Sequence, residues 1–381
     1  MGTTPRVPES RAHGLDGLRG LAALAVLVLH VWMYTQANDP NHNLLVDRVI
    51  GELRTAVLLF FVLSAFLLAA PWVAASRGER PPPRLGRFAL RRITRIVPGY
   101  LLALFGSLVL LHGTGHPRDI DLGELPLFLL FIPNLDPATR NMLDPPMWTL
   151  HIELSFYLVL PLIGWAVMRL ARRRALSGPL ALCVALNGVS IAWIAMSYTA
   201  GWEPEVTWTL PTYLGAFACG IGAAVLSHGR RLGPLAASGL MLAGVVVVFL
   251  NAMWHSAGGT GATGVIVGDL PASLGFAAIV TAVAARPARV LGLAPLRALG
   301  VISLGVYLWH MPVLYALQVH DWMPELFWPA LWRVLAPTTV LAIASWLLVE
   351  RPVLRWSARV TRRRRAPARA GVAKEALEPA G

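Results

Sequence analysis

LDGLRGLAALAVLVLHVW, residues 15–32, decides how the chain is read. It has the pattern of an apolar helix with one arginine near its start and one histidine near its end. Arg19 and His30 lie eleven positions apart; at ~100° per residue that is three turns plus roughly 20°. Both side chains therefore share one face, about 16 Å apart along the axis. Ionisable groups on a membrane helix turn toward the bundle interior or a water-filled cavity. The rest of the chain has to supply the partners of this stripe.

Working outward, 56% of the 381 residues are hydrophobic and only 14% are charged. That is more apolar surface than a soluble domain of ordinary composition, with about 25% charged residues, carries. The fold class expected is all-α: a polytopic membrane protein of about ten transmembrane helices, in a bacterial-type plasma membrane, with both termini cytoplasmic. The formal charge of +13 is carried almost wholly by arginine. In a soluble chain it would suggest nucleic acid; here it reads as loop charge that sets topology, and no nucleic-acid partner is expected beside the lipid bilayer.

Ten spans are expected: about 15–36, 51–75, 97–113, 147–169, 178–198, 206–227, 234–252, 265–285, 299–318 and 332–350. Arginines concentrate in alternate connections: 76–95, 169–174, 230–231, 286–297 and the tail from Arg351. The positive-inside rule makes those cytoplasmic. Residues 122–132, LGELPLFLLFI, are apolar but too short to cross, and fit as an interfacial piece in the outer connection 114–147. Residues 1–14 read as a cytoplasmic segment, 15–352 as the membrane domain and 353–381 as a basic, disordered tail. The first span reads as retained rather than as a cleaved signal. Cys183 and Cys219 sit in apolar segments and read as small buried hydrophobes, with no metal-ligand spacing.

Polar residues inside spans carry the chemistry. Asp16, three positions before Arg19, is placed to touch it. Ser64 lies in FFVLSAFLL, 60–68, where small residues suit close helix packing. Arg92 and Arg95 share a face in RFALRRITRIVPGY, 87–100, as inner-interface anchors or as a cradle for phosphates. PPMWTLHIELSFYLVLP, 145–161, puts Glu153 inside the membrane with Tyr157 one turn on; His151 is nearer the interface. Ser303, Tyr307 and His310 form one stripe of ISLGVYLWHMPV, 302–313, with a kink expected at Pro312. Glu350 and Arg351 close the last span as a helix stop with an ion pair. Asn134 is a further polar candidate in the long outer connection, since long connections are often functional.

In this order these stretches resemble the acyltransferase 3 family of integral membrane O-acyltransferases. The matching pieces are the arginine, ten residues and a histidine of LDGLRGLAALAVLVLH, then FFVLSAFLL, RRITRIVP, WTLHIELSFYLVLP, ISLGVYLWHMP and the closing ERP, together spanning Leu15 to Pro352. Family members commonly carry Ser-Gly-Phe and Trp-Ser-Leu where this chain has Ser64-Ala65-Phe66 and Trp148-Thr149-Leu150. The resemblance implies ten helices, cytoplasmic acyl-CoA (acetyl-CoA above all) as donor, and a hydroxyl of an extracytoplasmic carbohydrate or glycosylated small molecule as acceptor. It makes His30 and Arg19 the central pair, with Arg92 and Arg95 binding the donor. Thioester-to-hydroxyl transfer needs a base and a stabiliser for the tetrahedral intermediate. Imidazole suits the first role, and Glu153 could orient it or share its proton. No metal is expected. The competing reading is a proton-coupled transporter relaying through His30, Glu153 and His310; the absence of an internal repeat weighs against it.

Overall fold

The computed structural model describes residues 9–35, 44–256, 262–286 and 288–363. Among these, every regular element is a helix. In lipid no water satisfies backbone groups, so a helix, which bonds its own, is the economical way to cross. The long elements are α1 (Glu9–Thr35), α3 (Ala56–Ser76), α4 (Leu85–Leu111), α6 (Trp148–Arg173), α7 (Ser177–Ala200), α9 (Leu210–Ser227), α10 (Pro234–Ser256), α12 (Leu270–Ala285), α14 (Ser303–Val319) and α15 (Phe327–Ser345). Short pieces lie between them: α2 (Leu44–Gly51), α5 (Leu125–Leu129), α8 (Pro204–Thr207), α11 (Ala262–Val267) and α13 (Ala294–Val301). After α15, a π-helical turn, Trp346–Glu350, leads into α16 (Arg351–Arg363).

Each expected span is met by a helix, with two qualifications of form. Eight segments are long and apolar enough to cross a membrane. The ninth is the pair α13–α14, bent by 69°. The break falls at Ile302, before Ser303, and α14 runs on through Pro312. At 16 residues, α12 is about 24 Å long and short of the ~30 Å hydrocarbon core. Its N-terminal end is met by a polar clasp. Arg54 donates two hydrogen bonds to Asp269, at 2.6 and 3.0 Å, and a third to Glu52 at 3.1 Å. Residues 122–132 form only a single 3-10 turn and the five-residue α5, in keeping with a piece that does not cross.

Helices in lipid gain little from hiding apolar surface from one another, so close packing has to hold them. The glycines of the opening stretch do this. A Cβ at Gly300 would stand 1.9 Å from the Asp16 carbonyl oxygen, and one at Gly20 2.9 Å from the Gly300 nitrogen. This contact seats α13 on the first turns of α1 and starts α14 alongside it. Elsewhere Phe61, Phe217 and Phe156 stack at 4.8 and 4.0 Å between ring centroids, joining α3, α9 and α6. The result is that α1 and α14 lie together near the middle of the bundle, with α3, α4, α6 and α15 around them.

Two expectations for the C-terminal part change. Residues 353–363, read as disordered tail, belong to α16; the rest of the tail lies outside the described residues. Glu350 does not pair with the exposed Arg351. The π turn, with its extra residue per turn, carries Glu350 inward, where it is buried. There it accepts a hydrogen bond from Ser345 at 3.2 Å and lies 3.8 Å from Arg95.

Candidate active site

A cavity of about 520 Å³ opens among the N-terminal halves of α1, α3 and α6, the start of α4, the start of α14, and α16. Arg19, Arg91, Arg92 and Arg95 line it, with Ser64, Glu153, Tyr157, Ser303 and Tyr307. Six of the residues singled out in the sequence thus meet the two predicted donor arginines of α4 in one space. Asp16 does not line it, and Arg19 is the strongest in effect of the charges that act on Asp16.

Four guanidinium groups face one carboxylate. Glu153 accepts hydrogen bonds from Ser64 at 2.7 Å and from Tyr157. Arg92 lies 5.9 Å from the Tyr157 ring centroid, and Arg95 leans on the buried Glu350. The cavity is therefore electropositive, with phosphate-matched forks supplied by α1 and α4. Tyr307, at its inner wall, donates to the Pro146 carbonyl at 3.1 Å and pairs with the Thr149 hydroxyl at 2.9 Å. Ser303 bonds the Gly300 carbonyl at 2.9 Å and belongs to the helix start.

His30 does not reach Glu153. Its partner is His310, with 2.9 Å between Nδ1 of His30 and Nε2 of His310. The second nitrogen of His310, Nδ1, lies 3.2 Å from the Val306 carbonyl. A carbonyl only accepts, so that nitrogen carries the proton and Nε2 of neutral His310 holds a lone pair. It then accepts Nδ1–H of His30, a ring that also meets the Val26 carbonyl one turn back, and the remaining lone pair of the His30 ring is assigned to Nε2. The pair thus has one base nitrogen, and a partner placed to stabilise the imidazolium that forms when that nitrogen takes a proton. The sequence marked His310 as polar but not as the partner of His30, because 280 residues separate them and no pattern within either helix reports on the other.

A third group was visible only as a loop residue. Asp144, just outside α6, is buried, and neither carboxylate oxygen has a hydrogen-bond donor among the described residues. Burial pushes its carboxyl well above the usual carboxylate range. It lies within electrostatic reach of Tyr100, Tyr307 and Tyr315. The preceding Leu143 is held at φ +55°, a conformation that costs a branched residue about 1–3 kcal/mol. Asn134 and His151, also predicted, act in the framework of the same connection. Asn134 donates to the Trp208 carbonyl at 2.8 Å, and His151 bonds the Phe131 carbonyl at 2.9 Å. No cluster of potential metal ligands occurs among the described residues.

The family model of the acyltransferase domain named acyltransferase 3 matches residues 12–350. The chain belongs to the acyltransferase 3 family. As an acyltransferase 3 protein it is similar to nodulation protein 10 of Rhizobium leguminosarum bv. viciae, 26% identical over 96% of this chain and 99% of the relative. It is similar as well to the peptidoglycan O-acetyltransferase OatA of Listeria monocytogenes, 24% identical over 93% of this chain but 57% of the relative. Acyltransferase MdmB of Streptomyces mycarofaciens is 28% identical over 63% of each. The chain thus spans little more than half of the Listeria relative. No solved structure matches it.

Proposed function

We propose that this membrane acyltransferase moves a short acyl group, acetyl first of all, from cytoplasmic acyl-CoA to a hydroxyl of an extracytoplasmic glycan or glycosylated metabolite. The observation that carries the reading is the arginine-lined cavity on the same stripe of α1 as the His30–His310 pair. Phosphates of coenzyme A would meet Arg19, Arg91, Arg92 and Arg95 through charge-assisted, bidentate contacts. The thioester arm then runs up α1 toward His30. Nε2 of His30 takes the acceptor's proton as its oxygen attacks the thioester carbonyl. The C–S bond breaks as the tetrahedral intermediate collapses, and the proton is returned to the departing thiolate. His310 holds the ring and shares the positive charge while it lasts. Tyr307 and Thr149 line the cavity with their hydroxyls tied to the Pro146 carbonyl, which fixes the wall between the arginines and the dyad. The name of the Listeria relative supports a sugar hydroxyl as acceptor, and the arginine-rich connections support a cytoplasmic donor side.

The transporter alternative loses its relay, since Glu153 is bonded to Ser64 and Tyr157 rather than to either histidine.

The test is labelled-acetyl transfer from acetyl-CoA by purified protein in nanodiscs. His30→Ala should abolish transfer with coenzyme A binding intact. His310→Ala should lower it about 10²- to 10³-fold, within the range of general-base catalysis. The double variant should be no worse than His30→Ala, because the two act as one unit. Independent, multiplying losses would break the dyad, and a well-folded His30→Ala protein with full activity would remove the mechanism.

A further inference from the structure

A second cavity, of about 540 Å³, lies at the other end of the same two helices. Tyr34 of α1 and Gln318 and Val319 of α14 line it, with the 114–118 segment that follows α4. Along α1 the order is Arg19, His30, Tyr34; along α14 it is Ser303, Tyr307, His310, Gln318. Arg19 to Tyr34 is 15 residues, about 22 Å of helix, and Ser303 to Gln318 is the same. The histidine pair therefore stands between two cavities. Tyr34 lies one turn beyond His30. Its hydroxyl meets that of Tyr315, five residues beyond His310, at 3.1 Å. This tyrosine bridge spans the two helices as the histidine bridge does, one step closer to the second cavity.

The lining is built rather than incidental. Asp119 fixes the loop: it accepts the backbone N–H groups of Gly113 and Ile120, both at 2.8 Å, and contacts His112 at 3.3 Å. Gly113 and Gly115 have φ of +75° and +74°, conformations that side chains other than glycine rarely adopt. Arg118 donates to the Asn141 carbonyl at 3.1 Å, and its own carbonyl accepts Leu143 N–H at 2.7 Å. That leaves four of its five N–H groups for other partners. His116 packs on the Tyr315 ring at 4.7 Å and hydrogen-bonds Gln318. The walls thus offer hydroxyl, amide, imidazole and guanidinium groups next to aromatic faces. Donors and acceptors of both kinds beside a ring face suit a polyhydroxylated ring, and they suit an acyl chain poorly.

We propose that this second cavity is the acceptor site and takes a sugar ring, whose hydroxyl passes the Tyr34–Tyr315 bridge to reach His30. The inference rests on the reaction proposed above, and the experiment separates the two. In a protein lacking Cys183 and Cys219, Val319→Cys would be labelled with a maleimide in nanodiscs. The probes are the tetramer of N-acetylglucosamine, a lysozyme digest of peptidoglycan, and acetyl-CoA. One of the two sugar probes should slow labelling at least fivefold, and acetyl-CoA should not. The protection should disappear in Gln318→Ala and in Arg118→Ala. In transfer assays, those same substitutions should raise the half-saturating acceptor concentration about tenfold, the worth of one or two hydrogen bonds, and leave that for acetyl-CoA unchanged. Protection by neither sugar, or equal protection by acetyl-CoA, overturns the site. Loss of acetyl-CoA binding in Gln318→Ala also overturns it. Sugar protection in a wild-type protein that transfers nothing from acetyl-CoA would keep the site and remove the donor reading.

Discussion

Two residues explain more of this molecule through what they lack than through what they bond. Nε2 of His30 has a lone pair because Val306 and His310 fix the tautomers behind it. Asp144 has a carboxyl with no donor among the described residues, next to a strained Leu143. Burial raises its folded-state pKa above the unfolded value of ~3.9. In that window the folded protein holds a proton that the unfolded chain has released. The contribution is thus present at low pH and is lost as pH rises through the folded pKa. Asp144→Asn, which cannot ionise, should therefore raise the melting temperature more at pH 8 than at pH 5. Thermal unfolding in nanodiscs at the two pH values checks this, and a variant less stable at pH 8 than at pH 5, relative to wild type, would contradict it. Single residues were also where the sequence was least legible. His30, Arg19 and Glu153 stood out as ionisable groups in apolar helices, whereas Asp144 lay in a loop of ordinary polarity and gave no signal.

At the scale of elements, the turn Trp346–Glu350 shows how one extra residue redirects a helix. A regular α-helical turn would leave Glu350 on another face; the π turn brings it under Arg95 and sets α16 against α4. Leu354, Ser357 and Ala358 of α16 then form part of the cavity wall. The closing Glu-Arg-Pro was legible as a helix end, because proline and a charge pair are ordinary stop signals. That the chain turns back to close the arginine cavity was not legible, since nothing in a short basic segment reports what it packs against. Ser357 is buried and small, so Ser357→Trp should fill the cavity and raise the half-saturating acetyl-CoA concentration at least tenfold, with the acceptor dependence unchanged. Isothermal titration with coenzyme A on the same protein gives the binding change directly, and normal affinity would remove α16 from the donor site.

For the whole molecule, the sequence carried the fold class well. A continuous apolar run of sufficient length leaves a helix little alternative in lipid, and each expected span is met by one. Partnership between distant spans was harder to read, because helices in a bilayer meet through shape and small residues rather than through a repeating pattern. The Gly300–Asp16 contact that brings α14 against α1, and with it His310 against His30, is of that kind. The assembled bundle has an arginine cavity at one end of α1 and α14, a polar cavity at the other, and the histidine pair between them. The central claim is that acyl transfer runs from the first end to the second. Proteoliposomes with the protein in one orientation test it most directly, with labelled acetyl-CoA on one side and a peptidoglycan digest trapped on the other. The account predicts label in the glycan, and free coenzyme A in the donor compartment, only when acetyl-CoA faces the arginine end, and none with His30→Ala. Equal transfer from either side, or transfer that survives the loss of His30, would contradict it.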